Sequence, residues 1–115
     1  MNIKVSKNYF KTKALIDTKS QSIGMMGRKF DQSFDSLLFV MGGERQCFWM
    51  KNCIIPLDIV MIHNNTITKI HHDCPPCFEE PCESYCGEGN MVLELFGGTC
   101  EELGIEEGDE VEYIF

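Results

Sequence analysis

The chain has 115 residues, a net charge of −8 and a hydrophobic fraction of 43%, which suits one globular domain spanning residues 1–115 and excludes wholesale disorder. No apolar run approaches a membrane span, and MNIKVSKNYFKTKAL carries lysines without the apolar core of an export signal, so the sequence predicts a cytoplasmic protein with no membrane partner. Residues 70–115 hold thirteen acids and no Lys or Arg, a −13 segment that would repel a phosphate backbone, so no nucleic-acid partner is expected.

The predicted elements are short. Asn2 to Ser6 alternates polar and apolar as a strand does, and Ala14 to Ile16 reads as a second strand. From Ser20 to Lys29, Ile23 and Met26, with Phe30 further on, recur at helical steps, with Ser20 or Ser22 as the cap and Gly24 and Gly27 weakening the helix by about 1 kcal/mol each. Leu37–Met41 (LLFVM) and Gln46–Met50 (QCFWM) read as antiparallel partners joined at Gly42-Gly43. Leu57–His63 and Thr66–His71 flank Asn64-Asn65, and Asn tolerates the positive φ of a two-residue hairpin turn. The first arm is apolar on both faces, which puts it in the middle of a sheet. Met91–Phe96 is a further strand. Thr99 and Glu102 have capping-box spacing at the start of a short helix that Gly104 closes. Gly108-Asp109 then turns into a last strand, Glu110–Phe115. The sum is a mainly β domain, a compact antiparallel sandwich or small barrel with two short helices.

Several of these segments carry a family resemblance. GMMGR at 24–28, LLFVM at 37–41, FWMKNCIIPLDIV at 48–60, VLEL at 92–95 and the GT…LGIEEGDEV tail resemble the domain-of-unknown-function family 192. The resemblance spans most of the chain. It implies a small, mainly β single domain and no established activity.

A cysteine-rich loop, residues 73–90, is inserted between the hairpin and the next strand. Cys74, Cys77, Cys82 and Cys86 stand at C-x2-C-x4-C-x3-C spacing, which suits four thiolates around a structural zinc ion. Two disulfides are the alternative, and a redox pair or free thiols the third. His71 and His72 stand close enough in sequence to replace one cysteine. Pro75 and Pro76 lack N–H groups that would otherwise donate to the sulfurs. Cys47, Cys53 and Cys100 are isolated and read as small buried thiols.

Two further constellations bear on function. Trp49, Lys51 and Asn52 supply an aromatic platform, a cation and an amide, with Asp58 on the adjoining strand. The plain alternative is a core Trp49, a Lys51–Asp58 ion pair and an Asn52 that fixes a turn. Glu94 lies mid-strand between Leu93 and Leu95, where Arg28 is the candidate partner for a buried carboxylate. The preferred reading is a non-catalytic binding or interaction module for a small molecule or protein, with Trp49, Lys51, Asn52 and Arg28 as ligand-binding candidates and zinc stapling the acidic loop. The alternatives are a small hydrolase using Asp58 and Glu94 as acid and base, and a thiol redox or metal-handling protein working through Cys74 and Cys77.

Overall fold

The computed structural model describes all residues, Met1–Phe115. Nine strands and two short helices follow in chain order: β1 (Asn2–Val5), β2 (Asn8–Leu15), α1 (Thr18–Ile23), β3 (Ser36–Val40), β4 (Arg45–Phe48), β5 (Leu57–His63), β6 (Thr66–Cys74), β7 (Tyr85–Glu88), β8 (Met91–Phe96), α2 (Thr99–Leu103) and β9 (Val111–Ile114). Seven strands form one sheet in the order β6-β5-β8-β3-β2-β1-β9, while β4 and β7 form a separate ribbon. The large sheet curls into a half-barrel. Its two edges meet at one end, where Val111 N–H donates to the Asn65 carbonyl at 2.8 Å and Ile67 N–H to that of Asp109 at 3.0 Å. No helix is long and apolar enough to cross a membrane.

The central strands are buried on both faces, and the alternation of side chains sorts them into two cores. Leu38, Val60, Ile62, Leu93 and Leu95 point into the barrel with Ile3, Val5 and Val111. Leu37, Phe39, Ile59, Met61 and Val92 point outward, beneath a second layer that contributes Met25, Met50, Cys53 and Cys74. The β4–β7 ribbon belongs to that layer. It lies so close to β5 that a Cβ added at Gly87 would come within 2.7 Å of the Met61 side chain.

The β5–β6 hairpin forms as the sequence predicts, with φ of 49° at Asn64 and 65° at Asn65. Elsewhere tertiary pairing departs from the local reading. LLFVM and QCFWM do not pair. β3 lies between β8 and β2, antiparallel to the first and parallel to the second. With both flanks of β3 occupied, β4 leaves the sheet and pairs with β7. β2 is longer than its apolar Ala14–Ile16 end indicates, because it pairs with β1 along one flank and β3 along the other. The helix near Ser20 begins earlier, capped by the Asp17 carboxylate, which accepts from Ser20 N–H at 2.7 Å.

The cysteine loop is held by sulfur–sulfur bonds. Cys77 is bonded to Cys82 and Cys86 to Cys47, and Cys74 is a buried free thiol. The four thiolates that the spacing assigns to zinc therefore do not converge, and no group of three or more His, Cys, Asp or Glu side chains is arranged to hold a metal ion. The residues of this loop do not fit the expected zinc site. The physical reason is that Cys86 lies on β7 directly opposite Cys47 on β4, an isolated cysteine far upstream in sequence. A CPPC redox pair is not formed either, since Cys77 is bonded to Cys82 and not to Cys74.

Candidate functional site

The outward face of the sheet is not fully covered. Where α1 and the ribbon approach each other over β3 and β8, an apolar cleft of about 260 Å³ remains. Met25, Met26, Met41, Phe39 and Phe48 supply most of its apolar lining, Trp49 and Lys51 stand among its walls, and Glu94 reaches it from β8. Each wall has a local cause. Gln21 on α1 donates to the Leu15 and Val40 carbonyls at 2.9 and 2.8 Å, which ties the helix to the ends of β2 and β3. At Gly24, φ of 48° and a Cβ position only 3.0 Å from the Phe39 ring leave room for nothing larger. Phe48 packs edge-on against Phe39, ring centroids 4.8 Å apart, which sets the ribbon side of the cleft. The Cys47–Cys86 bond lies on this same wall.

Trp49 is 44% exposed, so it is not a core residue. Lys51 sits with its Nζ 5.1 Å from the Trp49 ring centroid and 3.2 Å from a Glu80 carboxylate oxygen. The ion pair the sequence offers as Lys51–Asp58 is therefore Lys51–Glu80. Asn52 has φ of 59° and is exposed. Its backbone N–H donates to the Cys77 carbonyl and its own carbonyl accepts from Gly27, so it fixes a turn. Arg28 stacks over Phe34 at 5.0 Å and makes no ion pair with Glu94.

Glu94 is the unusual group. It is 3% exposed, and its Oε1 is buried without any hydrogen-bond partner. Its cross-strand neighbours, Leu37 and Ile59, are apolar. Burial without a compensating donor pushes its pKa up to about 8, so the carboxyl carries its proton at neutral pH. The Cys53 thiol lines the same cleft and is pushed up to about 12, first by burial and then by the Glu94 charge, so it is no nucleophile.

Asp58 has the opposite environment. It is fully buried, yet its carboxylate accepts backbone N–H groups from Asp73 at 2.8 Å, Gly98 at 3.0 Å and Cys100 at 2.8 Å. Two of these are free amides at the start of α2, so Asp58 caps that helix from a distant strand. This replaces the Thr99 capping box: Gly98 occupies the cap position and offers no side chain. In the antiparallel β5–β8 pair, Asp58 stands opposite Leu95 and Ile59 opposite Glu94. Directly opposed residues share a face, so Asp58 and Glu94 lie on opposite faces of the sheet. The acid–base pair of a hydrolase is not assembled from them.

Of the predicted site residues, the cleft brings together Trp49, Lys51 and Glu94. It leaves out Asn52, Arg28 and Asp58. Gln21, Met25, Met26, Met41 and Phe39 carry no local signal of a site, apart from the place of the Met-Met pair in the GMMGR motif.

The family model described as "Uncharacterized ACR" (DUF192) matches residues 1–113. Two solved structures are similar. One is a protein of unknown function from Novosphingobium aromaticivorans DSM 12444, 27% identical, with a TM-score of 0.84 over 97% of this chain and 84% of that one. The other is described as a proposed transcription regulator from Sinorhizobium meliloti 1021, also 27% identical, with a TM-score of 0.86 over 96% of this chain and 91% of that one. A search among curated proteins gives no match.

Proposed function

This chain belongs to the DUF192 family, and from that premise we propose that it is a non-catalytic binding module whose ligand enters the cleft between α1, β3, β8 and the ribbon. The observation that carries this reading is an apolar hollow left open on an otherwise covered sheet face, with aromatic and Met side chains around a single buried polar group. Ligand sites have that composition: an apolar lining with few, well-placed polar groups. At about 260 Å³ the cleft lies just below the roughly 300–1,000 Å³ typical of drug-sized ligands, so the ligand is small. Against catalysis stands the separation of Asp58 from Glu94 and the neutral, buried state of the Cys53 thiol. Residues 70–115, with thirteen acids and no Lys or Arg, would repel a phosphate backbone, which disfavours a DNA-binding role such as regulation of transcription.

The two disulfides support residence in an oxidising compartment rather than the cytoplasm, where such bonds rarely persist.

Trp49 is the single tryptophan and stands at the cleft, so its fluorescence reports occupancy directly. Titration with small neutral apolar probes, 1-hexanol first, is expected to give a saturable change in Trp49 emission and a rise in Tm. Ser22→Trp, a bulky change at an exposed cleft-lining position, is expected to remove the Tm response. Unsaturable emission with an unchanged Tm across the probes would sink the reading.

A further inference from the structure

Building on the binding reading above, we propose that the cleft selects a small organic amine: an apolar body among the Met and Phe side chains, with an ammonium group paired to Glu94. The argument starts from what Glu94 lacks. Oε1 is buried with no donor in reach, and no cation of the chain is paired with the carboxyl. A carboxyl group kept for structure is satisfied, as Asp58 is by three amides. Glu94 is unsatisfied, and it lines the cleft.

The charged and titratable groups around it decide which molecule that is. On its own sheet, β3 and β5 present Leu37 and Ile59. From the covering layer come the thiols of Cys53 and Cys74, whose pKa values are pushed up to about 12 and about 11, so both are neutral. Cys47 is in a disulfide. Lys51 is the one cation in the lining, and it is turned to Glu80 and to the face of Trp49. An anionic ligand would meet a Lys51 already paired. A neutral ligand would leave Glu94 protonated and gain one ordinary hydrogen bond. An ammonium supplies up to three donors and a full charge, and charge-assisted bonds are roughly twice as strong as neutral ones. The −8 net charge draws cations toward the protein in the same sense.

The proton balance follows. Below pH 8 the free site holds a carboxylic acid, and the amine arrives as its ammonium ion. Binding forms the carboxylate–ammonium pair and releases the carboxyl proton to solvent. Affinity should therefore rise about tenfold per pH unit up to about pH 8, then level off.

The test compares n-hexylamine with 1-hexanol, which share the alkyl chain and differ only in the head group. Binding is measured by calorimetry and Trp49 fluorescence from pH 6 to 9. At pH 8 the amine is expected to bind at least about tenfold more tightly, a difference of about 1.4 kcal/mol. Calorimetry at pH 6.5 in two buffers of different ionisation enthalpy should report release of close to one proton. Glu94→Gln should erase the amine's advantage over 1-hexanol and abolish the proton release. If that variant does not fold, the proton count on the unmodified protein decides alone. Equal binding of both probes with no proton released overturns the amine proposal and leaves the binding reading intact. Failure of both probes to bind overturns the two together.

Discussion

Asp58 and Glu94 are two buried carboxyl groups on neighbouring strands with opposite thermodynamic roles. Asp58 is held by three backbone N–H donors, so truncating it strands them in a dry environment, at about 1–3 kcal/mol each. Asp58→Ala is expected to lower unfolding free energy by roughly 3 kcal/mol or more in urea titrations, and to speed hydrogen exchange at Gly98 and Cys100. A change under about 0.5 kcal/mol would mean that α2 is capped some other way. Glu94 works in the other direction. Its folded pKa, about 8, lies above the ordinary 4.5, so between those values the folded state binds more protons than the unfolded one. Its contribution to stability is complete below pH 4.5 and is lost as pH rises toward 8, at up to about 1.4 kcal/mol per unit. The stability of Glu94→Gln minus that of the unmodified protein should therefore grow from pH 5 to pH 8 and level off above it. A difference that stays flat across that range would place Glu94 in a solvated or paired state.

At the scale of elements, the β4–β7 ribbon is the piece that makes the cleft. It stands apart from the main sheet, and beyond its backbone ladder the Cys47–Cys86 bond joins its strands. A sequence separation of 39 corresponds, on the chain-entropy relation, to about 4 kcal/mol of stabilisation; the separation of 5 in the Cys77–Cys82 bond corresponds to about 2. Thiol titration of unreduced, denatured protein should find three reactive groups, and seven after reduction. Seven before reduction would show that neither disulfide forms and leave the loop as free thiols or a metal site. Replacing Cys47 and Cys86 together with Ser is expected to lower Tm and weaken 1-hexanol binding, because Phe48 then loses its fixed position over Phe39. Local sequence could not show this ribbon. QCFWM follows LLFVM across four residues that begin with Gly42-Gly43, which is hairpin grammar, and only the occupancy of both flanks of β3 diverts it.

At the scale of the whole molecule, the half-barrel is strongest at its centre and weakest at its seam. β5, β8 and β3 lie side by side with both faces buried. The closure between β6 and β9 rests on a few bonds near Thr66 and Glu110. Native-state hydrogen exchange should therefore be slowest at Val60, Leu93 and Leu38, while Ile67, Gly108 and Val111 open first. Protection of those seam amides equal to the centre would show a fully closed barrel. A cation in the cleft should leave this order unchanged, since the cleft lies on the outer face of the sheet, away from the seam.

The sequence by itself determined the elements whose cause is local. The β5–β6 hairpin is written in Asn64-Asn65, the buried middle of the sheet in the two-faced apolar arm from Leu57, and the stop of α2 in Gly104. The family was legible in the FWMKN…PLD string for the same reason: it is a contiguous pattern. Which cysteines join, which carboxylate caps α2, which carboxyl is left without a partner and where the cleft opens were decided only by the tertiary structure. Each depends on residues tens of positions apart, and the sheet order that brings them together is set by which strand flanks are already filled.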